Sequence, residues 1–139
     1  MTKEEMFNYI EEYCKQNNLC NDKNPDAKGK GYHFFRNTIK GKTLWTWYGF
    51  ACKGKFRLDL GVRGANESVQ DEICALGKDY ECDVLRTAFH IFFARDIPFE
   101  SVDENVLGNA MRKYQEFCNT LLPKIKEILQ KSVCKSKFF

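Results

Sequence analysis

Three residues of this chain have types suited to proton chemistry and spacing that lets strands bring them together: His33, Tyr48 and Asp59. Read as β-strands joined by tight hairpins, their segments place the three in one row. The carboxylate would orient the imidazole, and the imidazole would act as a base. No nucleophile motif accompanies them, so an ordinary cross-strand polar cluster is the simpler reading. A carboxylate-based metal nuclease needs more than Asp59, and the run LDLGVRG brings no following Glu-x-Lys. The acids Glu67, Asp71 and Glu72 fit the solvated face of a helix, and His90 lies in an apolar run as a core histidine does. Phosphate-binding loops of the Walker type, dinucleotide fingerprints and the G-x-S-x-G elbow are all missing, and the run KGKG (residues 28–31), with Gly29 and Gly31, is a weak anion-binding turn at best. Cysteines stand at 14, 20, 52, 74, 82, 118 and 134 without any C-x-x-C spacing, which reads as reduced, buried thiols rather than a zinc site. The reading therefore leans away from an enzyme and expects no metal and no cofactor.

Binding chemistry is better represented. Lys40, Lys42, Lys53 and Lys55 flank two Lys-Gly turns, and Arg57 and Arg63 follow on the next strand. Successive segments 1–27, 28–63, 64–104 and 105–139 carry charges of −3, +8, −7 and +5, within a net charge of +3. Such segregation suggests one basic face and an acidic flank. With His33, Phe35, Tyr48 and Phe50 added, the basic segment presents aromatic rings among cations, a combination that stacks bases and neutralises phosphates. The expected function is a small binding module for nucleic acid or another polyanion. The first alternative is a protein-interaction or inhibitor domain acting on a nucleic-acid-handling partner, through the acidic stretch 67–83 or the long C-terminal helix. The second is a metal- or His-dependent hydrolase.

The elements that must position these residues follow from periodicity. Residues 3–16 repeat apolar positions at helical spacing, with Thr2 and Glu5 forming a capping box. A long polar loop over 18–31 precedes three strands, 32–39, 43–52 and 55–63, rich in aromatic and β-branched residues. Tight hairpins at Gly41 and Gly54 give a meander in which paired residue numbers add to 81 in the first hairpin and 107 in the second. Trp45 then faces Val62, Trp47 faces Leu60 and Ala51 faces Phe56 on the buried side. His33, Phe35, Leu44, Tyr48, Phe50, Arg57, Asp59 and Arg63 take the other side, unless the first helix covers it. Asn66 caps a helix over 67–80, the run 84–95 reads as a strand in preference to a short helix, and 103–131 is a long helix kinked or broken at Pro123.

The fold class is α+β: a three-stranded, possibly four-stranded, mainly antiparallel sheet packed with an N-terminal, a middle and a long C-terminal helix. At 139 residues and 43% hydrophobic content, one domain over 1–131 with a frayed tail at 132–139 is expected. The acidic start is unlike a signal peptide, and no apolar run approaches ~18 residues, so a cytoplasmic protein without membrane contact is expected.

Overall fold

In a computed structural model, residues 1–19, 24–26, 29–52 and 54–136 are described. Helix α1 (Lys3–Gln16) opens with the capping box read from the sequence: Thr2 Oγ1 accepts from Glu5 N, and Glu5 Oε1 accepts from Thr2 N. Strands β1 (Asn24–Pro25), β2 (Gly31–Ile39), β3 (Lys42–Cys52) and β4 (Lys55–Arg63) follow. Helix α2 (Glu67–Ala75) starts at Asn66, whose side chain accepts from Val69 N, and runs into a 3-10 turn over Leu76–Asp79. Strands β5 (Asp83–Arg86) and β6 (His90–Pro98) form a hairpin, and α3 (Glu104–Ser136) completes the chain.

The sheet is antiparallel throughout, in the order β1-β2-β3-β4-β6-β5. The α+β class stands, but the strand count of three or four is too low. The apolar run read as one strand over 84–95 is two strands with a turn at Thr87–Phe89. The two-residue β1 adds an edge beside β2. Arg86 ties β5 to α2, donating to Gln70 Oε1 at 2.8 Å, to Asp71 Oδ1 at 2.5 Å and to the Glu67 carbonyl at 3.0 Å.

All three helices lie against one face of the sheet. Met6 and Ile10 of α1, Ile73 of α2, and Leu107, Met111, Leu121, Ile125 and Leu129 of α3 bury against Leu44, Tyr48, Phe56, Leu58, Leu60, Val62, Ile91 and Phe93. Each such side chain contributes roughly 1.5–3 kcal/mol by leaving water. Phe7 of α1 packs on Tyr32, Tyr48, Phe50 and Phe56. Of the kink or break expected at Pro123 the break is absent: α3 continues through the proline as helix. Pro123 and Asn119 are both exposed, while buried Leu121 and Ile125 hold the chain in place. The helix also continues past residue 131, through Ser136.

The second hairpin corrects the predicted faces. Cys52 pairs with Lys55 as expected of the turn, but a bulge between Gly49 and Cys52 shifts the rest by one residue. Leu44 then faces Val62, Thr46 faces Leu60 and Tyr48 faces Leu58, all toward the helices. Trp45 faces Gly61 and Trp47 faces Asp59 on the other side. Because side chains alternate with period two, that single residue exchanged the two faces of β3. The first hairpin keeps its predicted register from Ile39–Lys42 to Phe35–Thr46, then shifts at a bulge between His33 and Phe35. Its turn residues Lys40 and Gly41 both have positive φ, +48° and +82°.

Candidate functional site

The face without helices is built from rows of paired residues. One row runs His33, Trp47, Asp59, Ala94; the next runs Arg36, Trp45, Gly61, Phe92; a third carries Arg63 opposite His90. Glycines let the two indoles lie against the strands. A methyl group on Gly61 would come within 2.1 Å of the Trp45 ring, and one on Gly31 within 2.4 Å of the Trp47 ring. Trp47 is buried, and its Nε1 donates to Asp26 Oδ2 at 3.2 Å while Asp26 Oδ1 accepts from Lys30 N at 2.9 Å. Trp45 is half-buried and forms an aromatic group with Phe92 (5.6 Å between centroids) and His90 (6.4 Å). His90 stacks on Phe92 at 5.5 Å and 10°.

These side chains line an open depression of about 420 Å³. Its rim carries the exposed Lys30, Arg36 and Arg63, and its floor includes Asp59, only 5% exposed. Loss of hydration raises the Asp59 carboxyl to about 7, against the lowering pull of Arg57 and of a Trp45 hydrogen bond. Its Oδ1 has no hydrogen-bond partner among the described residues, and neither has His33 Nδ1. Burial, then the charge of Arg36, holds the His33 imidazole below its ordinary value. From the helix side, Tyr114 of α3 donates to the Asp59 carbonyl and fixes β4 beneath the site.

The residues expected at the site divide sharply. His33 and Arg63 line the depression. Phe50 borders it, but its ring packs with Phe7, Phe56 and Phe99 and lies under Lys3. Tyr48 is wholly buried in the helix-side core, and Phe35 sits beneath Lys126 of α3, 5.6 Å from ring to ammonium. Arg57 is on the open face but grips Asp96 through two bonds, 2.7 and 3.0 Å. Lys40 donates to the Gln130 carbonyl at 3.0 Å, and Lys42 is buried, which lowers its ammonium. Lys55 is exposed at the far end of β4, and Lys53 lies outside the described residues. The row His33–Tyr48–Asp59 becomes His33–Trp47–Asp59, so an indole stands between base and acid where the dyad would need contact.

Trp45, Trp47, Arg36, Phe92, His90 and Lys30 were missed as site residues. The signal available was the alternation Trp45-Trp47 against Gly61 and Gly31, since rings laid on a sheet need partners without side chains. Among the described residues no group of three or more His, Cys, Asp and Glu could hold a metal ion. Cys74, Cys82 and Cys118 are free thiols, and among the described residues no helix is long and apolar enough to cross a membrane. Comparison with protein-family models, curated proteins and solved structures finds no match for this chain.

Proposed function

We propose that this protein binds single-stranded nucleic acid across the open face of its sheet. The observation that carries the reading is the joint lining of one depression by aromatic rings and exposed cations on adjacent strands. Bases stack on Trp45, Phe92 and His90, and phosphates meet Lys30, Arg36 and Arg63. Stacking contributes roughly 1–3 kcal/mol per base, and each phosphate contact adds about 0.7 to the salt slope on a single strand. The expected result is that Trp45→Ala weakens oligonucleotide binding by about 10- to 100-fold with its salt slope unchanged. Arg36→Ala with Arg63→Ala should weaken binding and flatten the slope by about 1.4. Failure of the wild type to bind any oligonucleotide at low salt, measured by fluorescence anisotropy, ends this reading.

A second reading, protein interaction, draws on the edge strand β5. Val84 and Leu85 are exposed there, and Phe89 at the hairpin tip is 68% exposed. A protein that ignores oligonucleotides but loses a co-purifying partner on Phe89→Ser would favour it.

A further inference from the structure

The proposed anion-binding face has a carboxylate in its floor, and that placement has an electrostatic consequence. Asp59 lies in the middle strand of the depression, with His33 and Arg36 on β2, Asp26 and Lys30 beside β1, Arg57 and Arg63 on its own strand, and His90 and Asp96 on β6. Arg57 and Asp96 neutralise each other in their two-bond pair. Asp26 is engaged by the Trp47 indole and the Lys30 amide. Behind the sheet, Tyr114 and Cys118 are both pushed up by burial, Cys118 to about 12, and stay neutral. Among these groups Asp59 combines burial with an oxygen that no donor holds.

We infer that Asp59 is a proton-controlled brake on this face: its ionisation weakens the grip of Lys30, Arg36 and Arg63 on a polyanion, and its protonation releases them. The effect needs no contact between ligand and carboxylate, because a charge shut from water acts on its neighbours through the protein. Adjacent strands lie about 4.8 Å apart, so a ligand held by the rim stands roughly 10 Å from the floor. One unit charge at that range in a partly protein medium changes affinity on the order of tenfold. The raised carboxyl range, about 7, places the change around neutral pH. His33, held below its ordinary value, has given up its proton before that window closes. Linkage requires the converse too: anion binding must draw a proton onto Asp59.

The inference rests on the anion-binding reading, so its test uses two probes: an oligothymidylate of fifteen nucleotides and inorganic polyphosphate, which has no bases. Dissociation constants are measured from pH 5.5 to 8.5 for the wild type, Asp59→Asn, Asp59→Ser, His33→Gln and His90→Gln. Calorimetry at pH 7 in buffers of different ionisation enthalpy counts the protons taken up. The expected result is about tenfold weakening for the wild type between pH 6 and 8, with proton uptake on binding. Either Asp59 variant keeps the tight constant at pH 8 and takes up no proton, while each histidine variant, whatever its own affinity, still binds more weakly as pH rises and takes up a proton. A step that survives in the Asp59 variants, or disappears in a histidine variant, overturns the inference. If polyphosphate shows the Asp59-dependent step and oligothymidylate does not bind, the nucleic-acid reading falls and the brake stands. If neither anion binds at pH 6 and low salt, both fall. Should neither Asp59 variant fold, wild-type binding without proton uptake at pH 7 overturns it.

Discussion

Burial takes water from the Asp59 carboxylate, and the Arg57 guanidinium two residues away is committed to Asp96, so its ionised form is stabilised poorly. Protonation relieves that penalty in the folded protein alone. The carboxyl ionises near 3.8 in an exposed chain and near 7 in the folded one. Between those values the native state holds a proton that the unfolded state has lost, so stability falls as pH rises through that window. His33 acts oppositely: its lowered folded value means stability is gained as pH rises toward 6.5. Asp59→Asn separates the two. It should leave stability at pH 4 little changed and raise it at pH 8 by roughly 1–3 kcal/mol, the penalty of an unsatisfied buried polar group. Urea unfolding at both pH values measures this, and a variant no more stable than the wild type at pH 8 refutes it.

At the scale of elements, what could be read in advance was whatever depended on local signals. The caps at Thr2 and Asn66, the turn at Lys40-Gly41 and the inward face of β4 all follow from residues within a few positions of one another. The faces of β3 do not. Its run Leu44-Trp45-Thr46-Trp47-Tyr48 is apolar on both sides, so alternation cannot say which side meets the helices, and one bulged residue decides it. The candidate site inherited that error, since exchanging Tyr48 for Trp47 moved the aromatic surface. Helix α3 errs in the other direction: Pro123 is a sound local signal that packing overrides. Its missing donor leaves one helical bond unmade, so Pro123→Ala should stabilise the protein by about 1–2 kcal/mol without altering the fold. A shift of the denaturation midpoint to higher urea at unchanged slope is the expected observation; loss of stability would mean that the surrounding helix needs the proline.

Across the whole molecule, the basic excess of the chain is split between two sides. Cations of 28–63 reach the open face through Lys30, Arg36 and Arg63, whereas Arg112, Lys113, Lys124, Lys126 and Lys131 ride on α3 in the helix layer. Some of the latter serve local packing, as Lys126 does over Phe35 and Lys131 beside Glu127 at 2.9 Å. Net charge alone therefore makes a different prediction from a built site. Arg36→Ala with Arg63→Ala removes two positive charges from the rim of the depression. Arg112→Ala with Lys124→Ala removes two from exposed positions on α3. If the protein drew oligonucleotides merely by its overall charge, both pairs would weaken binding equally. If the open face is the site, the helix pair lies across the sheet and beyond a screening length of about 10 Å at 0.1 M salt. The rim pair should then lower affinity for a fifteen-nucleotide strand at least tenfold, and the helix pair less than twofold, in the same 0.1 M buffer. The comparison holds net charge constant between the two variants, so equal losses from the two pairs would assign binding to unspecific attraction and take the open face out of the account.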